Sequence, residues 1–248
     1  MQPRSRPPRA NEMEAIVLAG GLGARLAGQL DGIPKAMAPV AGRPFLEILL
    51  LQLQRAGFTR AILSVGYLHE VIQKHFGAQF EGMSIDYAIE SRPLGTGGAI
   101  RLALAQAREE AALVLNGDTF LQADYADMMR FHKEEGSAAT IVVVHQPDIA
   151  RYGGVIVEQN RVVAFEEKGR TGPGRTGQGC INAGAYVFAR DLEWPARLGE
   201  AFSIEKDFFA PEVARLRPAA YQVQGYFLDI GVPEDLDRAQ TELASLDF

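Results

Sequence analysis

The sequence predicts an α/β protein whose central sheet is mostly parallel, with a smaller half that is mixed or antiparallel. Up to residue 120, short apolar runs alternate with segments in which apolar residues recur at helical spacing. This order is typical of parallel strands joined by helices that cover both faces of a sheet. After residue 138, strand-like runs follow one another with little helix between them. We therefore expect one domain over residues 14–248, preceded by a disordered, proline-rich tail over residues 1–13.

The first half is predicted to contain four buried strands and four helices. Strands are expected at residues 15–18, 61–65, 85–89 and 112–115, and helices at residues 45–56, 68–76, 99–108 and 125–135. Gly57, Gly77 and Gly136 are expected to end three of these helices. Residues 90–98 are expected to form a loop between the third strand and the third helix.

The second half is predicted to be richer in strands. These are expected at residues 139–144, 154–157, 162–166, 181–188, 221–223 and 227–230. One helix is expected at residues 203–215, with Ser203 as its N-cap, and another at residues 233–246, with Pro233 in its first turn. A glycine-rich excursion over residues 170–179 separates two of the strands.

Composition narrows the possible functions. The net charge of the 248 residues is −6, which argues against a general nucleic-acid binder because such proteins need a broad basic surface. No apolar run is long enough to span a membrane, and the N-terminus lacks the apolar section of a signal peptide, so we expect a cytoplasmic protein. Cys180 is the single cysteine, which excludes an intrachain disulfide and favours a buried structural thiol. We expect a monomer or a small homo-oligomer.

Residues 15–35 (AIVLAGGLGARLAGQLDGIPK) predict a phosphate-binding loop. An apolar strand breaks into a turn with three glycines, followed by two cations: Gly20, Gly21, Gly23, Arg25 and Lys35. Glycines let backbone N–H groups approach an anion, and the cations add positive charge, which suits a nucleoside triphosphate. Such a turn is also often only a tight connection, and the spacing matches neither the P-loop nor the dinucleotide-binding signature. The full combination of strand, Gly-Gly-x-Gly-x-Arg-Leu and Pro-Lys supports the phosphate interpretation.

Two aspartates are candidate ligands for Mg²⁺. Asp118 follows an apolar strand, at the end where open α/β sheets bind ligands. Asp229 lies between Leu228 and Ile230, where a carboxylate is costly unless it is paired or bound to a metal. Mg²⁺ is a hard ion that prefers oxygen ligands, so the two side chains could hold one ion between them. Alternatively, Asp118 in the sequence Asn-Gly-Asp is only a turn residue.

Two further features are ambiguous. Glu166 ends a strand in the charged sequence Glu-Glu-Lys, which by itself is more typical of a solvated face than of a site. Asn182 and Gly184 lie inside a predicted strand, where both residue types are disfavoured. Close approach of a ligand and a β-bulge would each explain this pair.

Taken together, these segments resemble the signature of the sugar-1-phosphate nucleotidyltransferases. LAGGLGARL and IPKAMAPVAGRPFLE carry the resemblance first. The remaining matches follow in family order up to about residue 246: ESRPLGTGGAI, VLNGDTF, RYGGVIV, FEEKG, INAGAYVF, SIEKDFF and YFLDIGVPEDL. Enzymes of this family make a nucleotide-sugar and pyrophosphate from a nucleoside triphosphate and a sugar 1-phosphate. The resemblance implies a Rossmann-like, three-layer nucleotide-diphospho-sugar transferase fold with Mg²⁺ as cofactor.

The resemblance also implies roles for individual residues. Those implied to hold the triphosphate and to act at the reacting phosphates are Gly20, Gly21, Gly23, Arg25 and Lys35. Those implied to contact the base and ribose are Leu18, Ala19, Glu90, Gly95 and Thr96. Those implied to line the sugar-phosphate pocket are Gly153, Glu166, Lys168, Asn182 and Gly184, with Lys168 on the phosphate of the sugar. Asp118 and Asp229 are implied to hold Mg²⁺.

Within the family, the chain looks most like the guanylyltransferases that act on D-glycero-α-D-manno-heptose 1-phosphate. A carboxylate such as Glu90 can accept hydrogen bonds from N1–H and the exocyclic amine of guanine, whereas uridylyl- and thymidylyltransferases often have Gln in this loop. Many relatives have proline where this chain has Gly169, which affects the shape of the sugar pocket. Many relatives also carry a C-terminal β-helix with acyltransferase activity, for which this chain is too short, so we expect nucleotidyl transfer alone.

Three alternatives remain open at this point. A uridylyl- or guanylyltransferase for another sugar 1-phosphate, derived from N-acetylmuramate or mannose, fits the same motifs. A non-catalytic nucleotide-sugar sensor would be expected to have lost Arg25, Lys35 or one of the two aspartates, and none is lost. A glycosyltransferase of related architecture would not need a glycine-rich loop followed by Pro-Lys.

Overall fold

Strands and helices alternate along the first half of the molecule in the computed structural model, which describes residues 13–21, 26, 30, 32–149, 151–166 and 178–245. The strands in these residues are β1 (Met13–Leu18), β2 (Pro39–Val40), β3 (Arg43–Pro44), β4 (Phe58–Val65), β5 (Gln79–Phe80), β6 (Met83–Ile89), β7 (Ala111–Asn116), β8 (Thr119–Leu121), β9 (Ala139–Gln146), β10 (Val155–Glu158), β11 (Arg161–Phe165), β12 (Gly179–Ala189), β13 (Ala219–Val223) and β14 (Phe227–Asp229). The α-helices are α1 (Phe45–Arg55), α2 (His69–Phe76), α3 (Gly95–Leu104), α4 (Tyr125–Glu135), α5 (Ala210–Leu216) and α6 (Pro233–Glu242). A π-helix covers Ile204–Phe209, and 3₁₀-helices cover Lys35–Met37 and Leu243–Ser245.

One ten-stranded sheet runs through the molecule in the order β10-β11-β13-β9-β12-β7-β1-β4-β6-β5. Strands β7, β1, β4 and β6 are parallel to one another. Strand β12 pairs antiparallel with both β7 and β9, and so joins this parallel part to a mixed half. The predicted fold, with a mostly parallel part and a mixed part, is therefore confirmed.

The sheet is buried on both faces, which explains the continuous apolar run in β1. Ala15 and Val17 pack into a core shared with α1, α2, α4 and α6. Ile16, which points to the opposite face, packs into a second core shared with α3 and the π-helix. Successive residues of a strand face opposite sides, so a strand covered on both sides must be apolar throughout.

Several boundaries differ from the prediction for physical reasons. Helix α3 begins at Gly95 rather than at residue 99, because Gly97 donates a backbone hydrogen bond to Phe202 (2.9 Å) and this tertiary contact compensates for weak helix propensity. The helix predicted at 203–215 is a π-helix followed by α5, and Ser203 caps it as expected by accepting a hydrogen bond from the Lys206 amide. Strands β2, β3, β5 and β8 were not predicted, since two or three residues give no periodic signal.

Other expectations fall partly or wholly on residues outside the described ones. Residues 1–12 of the predicted tail and most of the excursion at 170–179 lie there, and Met13 begins β1. None of the helices in the described part of the chain combines the length and apolar character that a bilayer-spanning segment requires. Cys180 is half-buried, and burial raises the pKa of its thiol.

His132 on α4 is the one buried histidine among the described residues, with 5% of its surface exposed. Its Nδ1 shares a hydrogen bond of 2.8 Å with the Thr140 hydroxyl on β9. Burial disfavours the charged imidazolium and lowers the pKa of His132 to about 4. This histidine therefore joins α4 to the mixed half of the sheet in its neutral form.

We expect burial of His132 to reduce the free energy of unfolding by about 2 kcal/mol between pH 7 and pH 5. The unfolded chain binds the proton with the ordinary histidine pKa of 6.5, whereas the folded protein excludes it until the pH approaches 4. Stability conferred by the neutral side chain is therefore lost as the pH falls below 6.5. Urea unfolding at both pH values measures the loss, and His132→Gln should show correspondingly less pH dependence. An equal pH dependence in the variant would contradict the assignment.

Candidate active site

Two carboxylates are brought together by the short antiparallel pair β8–β14. Asp229 lies opposite Thr119 in this pair, and the Ile230 amide donates a hydrogen bond of 2.9 Å to the Asp118 carbonyl. Buried Phe120 and Leu228 lie opposite each other and help to fix this register. The two aspartates singled out in the sequence are therefore neighbours, at the carboxyl end of the parallel strands.

Lys35 forms an ion pair with one of these carboxylates. Its Nζ donates to Asp118 Oδ2 at 2.5 Å, and 15% of its side chain is exposed. A Cβ placed on Gly231 would be 3.3 Å from this Nζ and 2.8 Å from Asp229 Oδ1, so the ammonium group also lies close to Asp229. Pro34, which precedes the 3₁₀-helix, has the fixed φ that starts such a turn.

The electrostatics of this pair favour an additional cation. The pKa of Asp229 is raised, first by burial and then by the neighbouring charge of Asp118. Lys35, the Gly231 amide and Arg151 oppose this shift but do not cancel it. A half-buried carboxylate whose charge is only partly balanced is a suitable ligand for a metal ion.

The donor set fits Mg²⁺ only together with substrate phosphates. The described residues contain no group of three or more His, Cys, Asp or Glu side chains that could hold a metal. Mg²⁺ is commonly bound by one or two carboxylates together with waters and substrate phosphates, which matches the pair Asp118 and Asp229. These residues could therefore hold Mg²⁺ that arrives with a nucleotide.

The end of β1 forms the adjoining wall of the site. The Leu18 carbonyl accepts a hydrogen bond from the Gly117 amide (3.0 Å), which places Asp118 beside the turn that follows β1. The Ala19 amide donates to the Ser64 carbonyl at 2.7 Å, and this holds the same turn against β4. Gly21 is exposed, with nothing within 4 Å of where its Cβ would lie. Gly23 and Arg25 lie outside the described residues.

Glu90 lies directly against this turn. A Cβ on Gly20 would be 2.7 Å from Glu90 Oε1 and 3.2 Å from the Gly66 amide nitrogen, so glycine lets this turn approach the carboxylate closely. Oε2 of Glu90 accepts a hydrogen bond from the Leu94 amide at 2.9 Å. Burial is the largest influence on the Glu90 carboxyl and raises its pKa. A half-buried carboxylate with remaining acceptor capacity thus faces the beginning of the glycine-rich turn.

Gly95 and Thr96 form the first turn of α3 and contact the segment that leads into the π-helix. Gly95 has a φ of +67°, and its Cβ would be 2.7 Å from the Phe202 carbonyl oxygen. The Thr96 hydroxyl accepts a hydrogen bond from the Ile204 amide at 3.0 Å. Contact of these two residues with a base stays a prediction.

Glu166 and the Gly153–Gly154 pair meet on the mixed side of the sheet. Backbone hydrogen bonds of 3.2 and 2.8 Å join Gly154 and Glu166, and a Cβ on Gly154 would be 2.5 Å from Glu166 Oε2. Gly153 has a φ of +84°, which favours glycine. Lys168 lies outside the described residues.

Asn182 and Gly184 lie in a β-bulge of β12, where the register with β9 shifts between Asn182 and Tyr186. Gly184 has a φ of +67°, and its Cβ would be 2.4 Å from Asn116 Nδ2. Asn182 Nδ2 donates to Glu205 Oε1 (2.5 Å) and to the Tyr186 hydroxyl (2.7 Å). The bulge is therefore confirmed. It lets Asn182 contact Glu205 of the π-helix, and it brings Gly184 close to Asn116, the last residue of β7.

Three residues of this region were missed by sequence reasoning. Glu205 supports Asn182, and Arg151 forms an ion pair with Asp235 close to Asp229. Their motifs, SIEKDFF, RYGGVIV and VPEDL, contributed to the family resemblance. Their pairings could not be found from the sequence, because each joins segments far apart in the chain.

Carboxylates and an ammonium group at the carboxyl edge of a parallel sheet covered on both faces are typical of enzymes that bind nucleoside phosphates. The family model described as nucleotidyl transferase matches residues 14–245, and the chain belongs to this family. It is a nucleotidyltransferase, as the resemblance of its motifs predicts.

Relatives cover almost the whole chain. It is 40% identical over 231 residues to D-glycero-alpha-D-manno-heptose 1-phosphate guanylyltransferase of Aneurinibacillus thermoaerophilus, covering 93% of this chain and 98% of the relative. It is 42% identical over 224 residues to the enzyme of the same name from Campylobacter jejuni, covering 90% and 96%. The crystal structure of HddC from Yersinia pseudotuberculosis is 33% identical, covers 93% of this chain and 99% of its own, and has a TM-score of 0.80. The structure of HddC complexed with GMP-PN has a TM-score of 0.78.

We expect Asp118→Asn and Asp229→Asn each to lower turnover by about 100-fold or more, since charge stabilisation by a bound metal is worth several kcal/mol. Pyrophosphate release at increasing Mg²⁺ concentrations measures both the maximal rate and the Mg²⁺ requirement. Thermal unfolding without Mg²⁺ should show Asp229→Asn to be no less stable than the wild type, because its ionised, buried carboxylate costs folding free energy.

Asp191→Asn, at an exposed turn, is the matched control for these two variants. It should leave the rate and the Mg²⁺ requirement unchanged. Turnover within about threefold of wild type in both site variants would contradict the metal assignment.

Proposed function

We propose that this protein transfers a guanylyl group from GTP to D-glycero-α-D-manno-heptose 1-phosphate, giving GDP-heptose and pyrophosphate. The proposal is supported by 40–42% identity, over nearly the full length, to two enzymes with this name. The observation that carries the chemistry is the contact of Asp118 with Lys35 beside Asp229, at the end of β1. We further propose that Mg²⁺ is the cofactor and that the reaction takes place in the cytoplasm.

The sugar phosphate supplies its own nucleophile. The second pKa of a phosphate monoester is about 6, so the group is mostly dianionic at neutral pH and needs no general base. The barrier is therefore the approach of a dianion to a highly charged triphosphate. Catalysis by this protein consists of positioning the two substrates and of offsetting negative charge.

These two tasks are proposed to fall to residues on two sides of the site, one for the nucleotide and one for the acceptor. On the nucleotide side, the turn after β1 receives the triphosphate, and Lys35 provides a fixed positive charge at the reacting phosphates. Asp118 orients that ammonium group through the hydrogen bond of 2.5 Å. When bound by Asp118 and Asp229, Mg²⁺ would neutralise charge at the α-phosphate and on the departing pyrophosphate. Arg25 is proposed to share the triphosphate with Lys35.

On the acceptor side, the sugar phosphate is proposed to bind between the Gly153 turn, Glu166 and the β12 bulge. Asn182, fixed by Glu205 and Tyr186, and Gly184 form one side of this region. Lys168 is proposed to contact the phosphate of the sugar. Hydrogen-bonding groups held by buried neighbours are suited to positioning a polyhydroxylated ligand.

Selection of guanine is proposed to depend on Glu90. Its carboxylate accepts hydrogen bonds from the Leu94 amide at Oε2 and from the Ser64 hydroxyl at Oε1, and it lies against Gly20. The acceptor sites that remain can receive N1–H and the exocyclic amine of guanine, a pattern that adenine does not offer. Leu18 and Ala19 are proposed to lie against the base and ribose.

The function is tested by measuring pyrophosphate release with each common nucleoside triphosphate against a panel of sugar 1-phosphates. We expect the highest kcat/KM for GTP with D-glycero-α-D-manno-heptose 1-phosphate. A higher value with mannose 1-phosphate or N-acetylmuramate 1-phosphate would replace the acceptor that we propose. Binding of a nucleotide-sugar without pyrophosphate from any pair would favour a sensor and contradict the proposal.

We expect Glu90→Gln to lower kcat/KM for GTP by about 10- to 100-fold, since a hydrogen bond to a charged group contributes about 1.5–3 kcal/mol. The variant keeps the shape of the side chain but replaces an acceptor with a donor facing the base. KM for the sugar 1-phosphate should be unchanged, and Glu134→Gln on the exposed face of α4 is the matched control. An unaltered preference for GTP in Glu90→Gln would show that the base is read elsewhere.

A further inference from the structure

Asp235 is a buried carboxylate near the beginning of α6, with 5% of its surface exposed. Two arginines donate to it. Arg238, one turn further along the same helix, donates to Oδ1 at 3.0 Å, and Arg151, from the loop before β10, donates to Oδ2. A buried carboxylate needs such partners, and α6 itself already provides one of them, Arg238. The second partner thus ties a distant loop to α6.

This loop, residues 151–154, is also attached to β14. The Tyr152 ring meets Phe227 edge to face, with the ring centroids 5.6 Å apart, and the Arg151 guanidinium lies 5.4 Å from the centroid of the Tyr152 ring. Phe227 is two residues before Asp229 on β14. The ion pair and the ring contact therefore fix the loop beside the carboxylate pair.

Arg151 retains binding capacity in this position. The hydrogen bond to Asp235 is the one that its guanidinium makes among the described residues, and 47% of its side chain is exposed. Arginine has five N–H donors in a planar fork that matches the oxygens of a phosphate. Lys35, by contrast, is in close contact with Asp118 and 15% exposed.

A cation is needed beside Asp229 because the acceptor and both carboxylates are negatively charged. A dianionic acceptor that approaches Asp118 and Asp229 is repelled by both carboxylates. Arg151 belongs to the loop that the contact of Tyr152 with Phe227 holds beside β14, the strand that carries Asp229. It also precedes the Gly153–Gly154 pair that meets Glu166. Arg151 thus belongs to a loop that contacts both the strand of Asp229 and the region proposed for the sugar.

We propose that Arg151 binds the phosphate of the incoming sugar and that Asp235 is a positioning residue that holds Arg151 for this purpose. The inference rests on the proposed function, because it assigns a group to the acceptor phosphate of that reaction. If Arg151 only stabilised the fold, its loss and the loss of Arg238 should have the same effect on catalysis, because both side chains are partners of Asp235. If Arg151 binds the acceptor phosphate, its loss should weaken acceptor binding and the loss of Arg238 should not.

The test compares Arg151→Gln, Asp235→Asn and the control Arg238→Gln, which removes the other partner of the same carboxylate. KM values for GTP and for the acceptor that wild type uses best are measured separately, with thermal unfolding of each variant. We expect the acceptor KM to rise by about 10- to 100-fold in Arg151→Gln and about tenfold in Asp235→Asn, with KM for GTP within about twofold of wild type. Arg151→Lys should recover part of the loss, and Arg238→Gln should leave both KM values unchanged.

Binding of the same acceptor to the Mg²⁺-loaded enzyme, followed by calorimetry, should weaken in the same order. Unchanged acceptor KM in Arg151→Gln, equal rises in both KM values, or an equal effect of Arg238→Gln would each overturn the inference. Arg151→Gln alters a half-exposed side chain, so it decides the question even if Asp235→Asn does not fold. Absence of pyrophosphate release by wild type with every pair would instead overturn the proposed function, and the inference with it.

Discussion

The charge balance around Asp118 and Asp229 is the constraint on which the rest of the site depends. Two neighbouring carboxylates repel each other, and burial increases the cost for Asp229. The fold tolerates this because Lys35 contacts Asp118 and because the Gly231 amide donates to Asp229 at 2.7 Å. Because this balance is incomplete among the described residues, the proposed Mg²⁺–nucleotide complex would supply the positive charge that the folded chain lacks. On this proposal, the folding free energy given up at Asp229 would contribute to the affinity for the ligand.

Helix α6 connects the charge balance at Asp118 and Asp229 to the regions proposed for the two substrates. Asp229 precedes its first turn, and Asp235 in that turn contacts the loop on the acceptor side. Near its other end, Gln240 accepts a hydrogen bond from the Ala41 amide at 3.1 Å and donates to the Pro39 carbonyl at 2.7 Å. These residues belong to the β2–β3 hairpin, which follows Lys35 in the chain. One helix therefore supports the strand that carries Asp229, the loop of residues 151–154 and the segment that follows Lys35.

Periodicity and motifs were sufficient to predict the fold class and most long elements, because each long strand or helix carries several buried side chains of its own. Asp118 could be singled out by its place after an apolar strand, and Asp229 because a carboxylate between apolar residues is unusual. Their contact could not be predicted from local pattern, because it depends on the three-residue pair β8–β14. For the same reason the ion pair of Asp235 escaped detection: Asp235 lies in a charged helix turn that looks exposed in sequence, and its burial comes from tertiary packing.

The continuity of the sheet has a consequence for how ligands can be made for this enzyme. Strand β12 pairs with β7 from Ala185 to Ala189 and with β9 on its other side. Hydrogen-bonded backbone therefore links the parallel part of the sheet, proposed to bind the nucleotide, to the mixed half, proposed to bind the acceptor. The regions proposed for the two substrates are therefore joined by main-chain hydrogen bonds within one sheet. A single compound that joins a guanosine to a sugar through a linker of matching length would find both subsites already in place. Such a bisubstrate ligand would gain affinity from this preorganisation, as tethered binding groups do when their span fits.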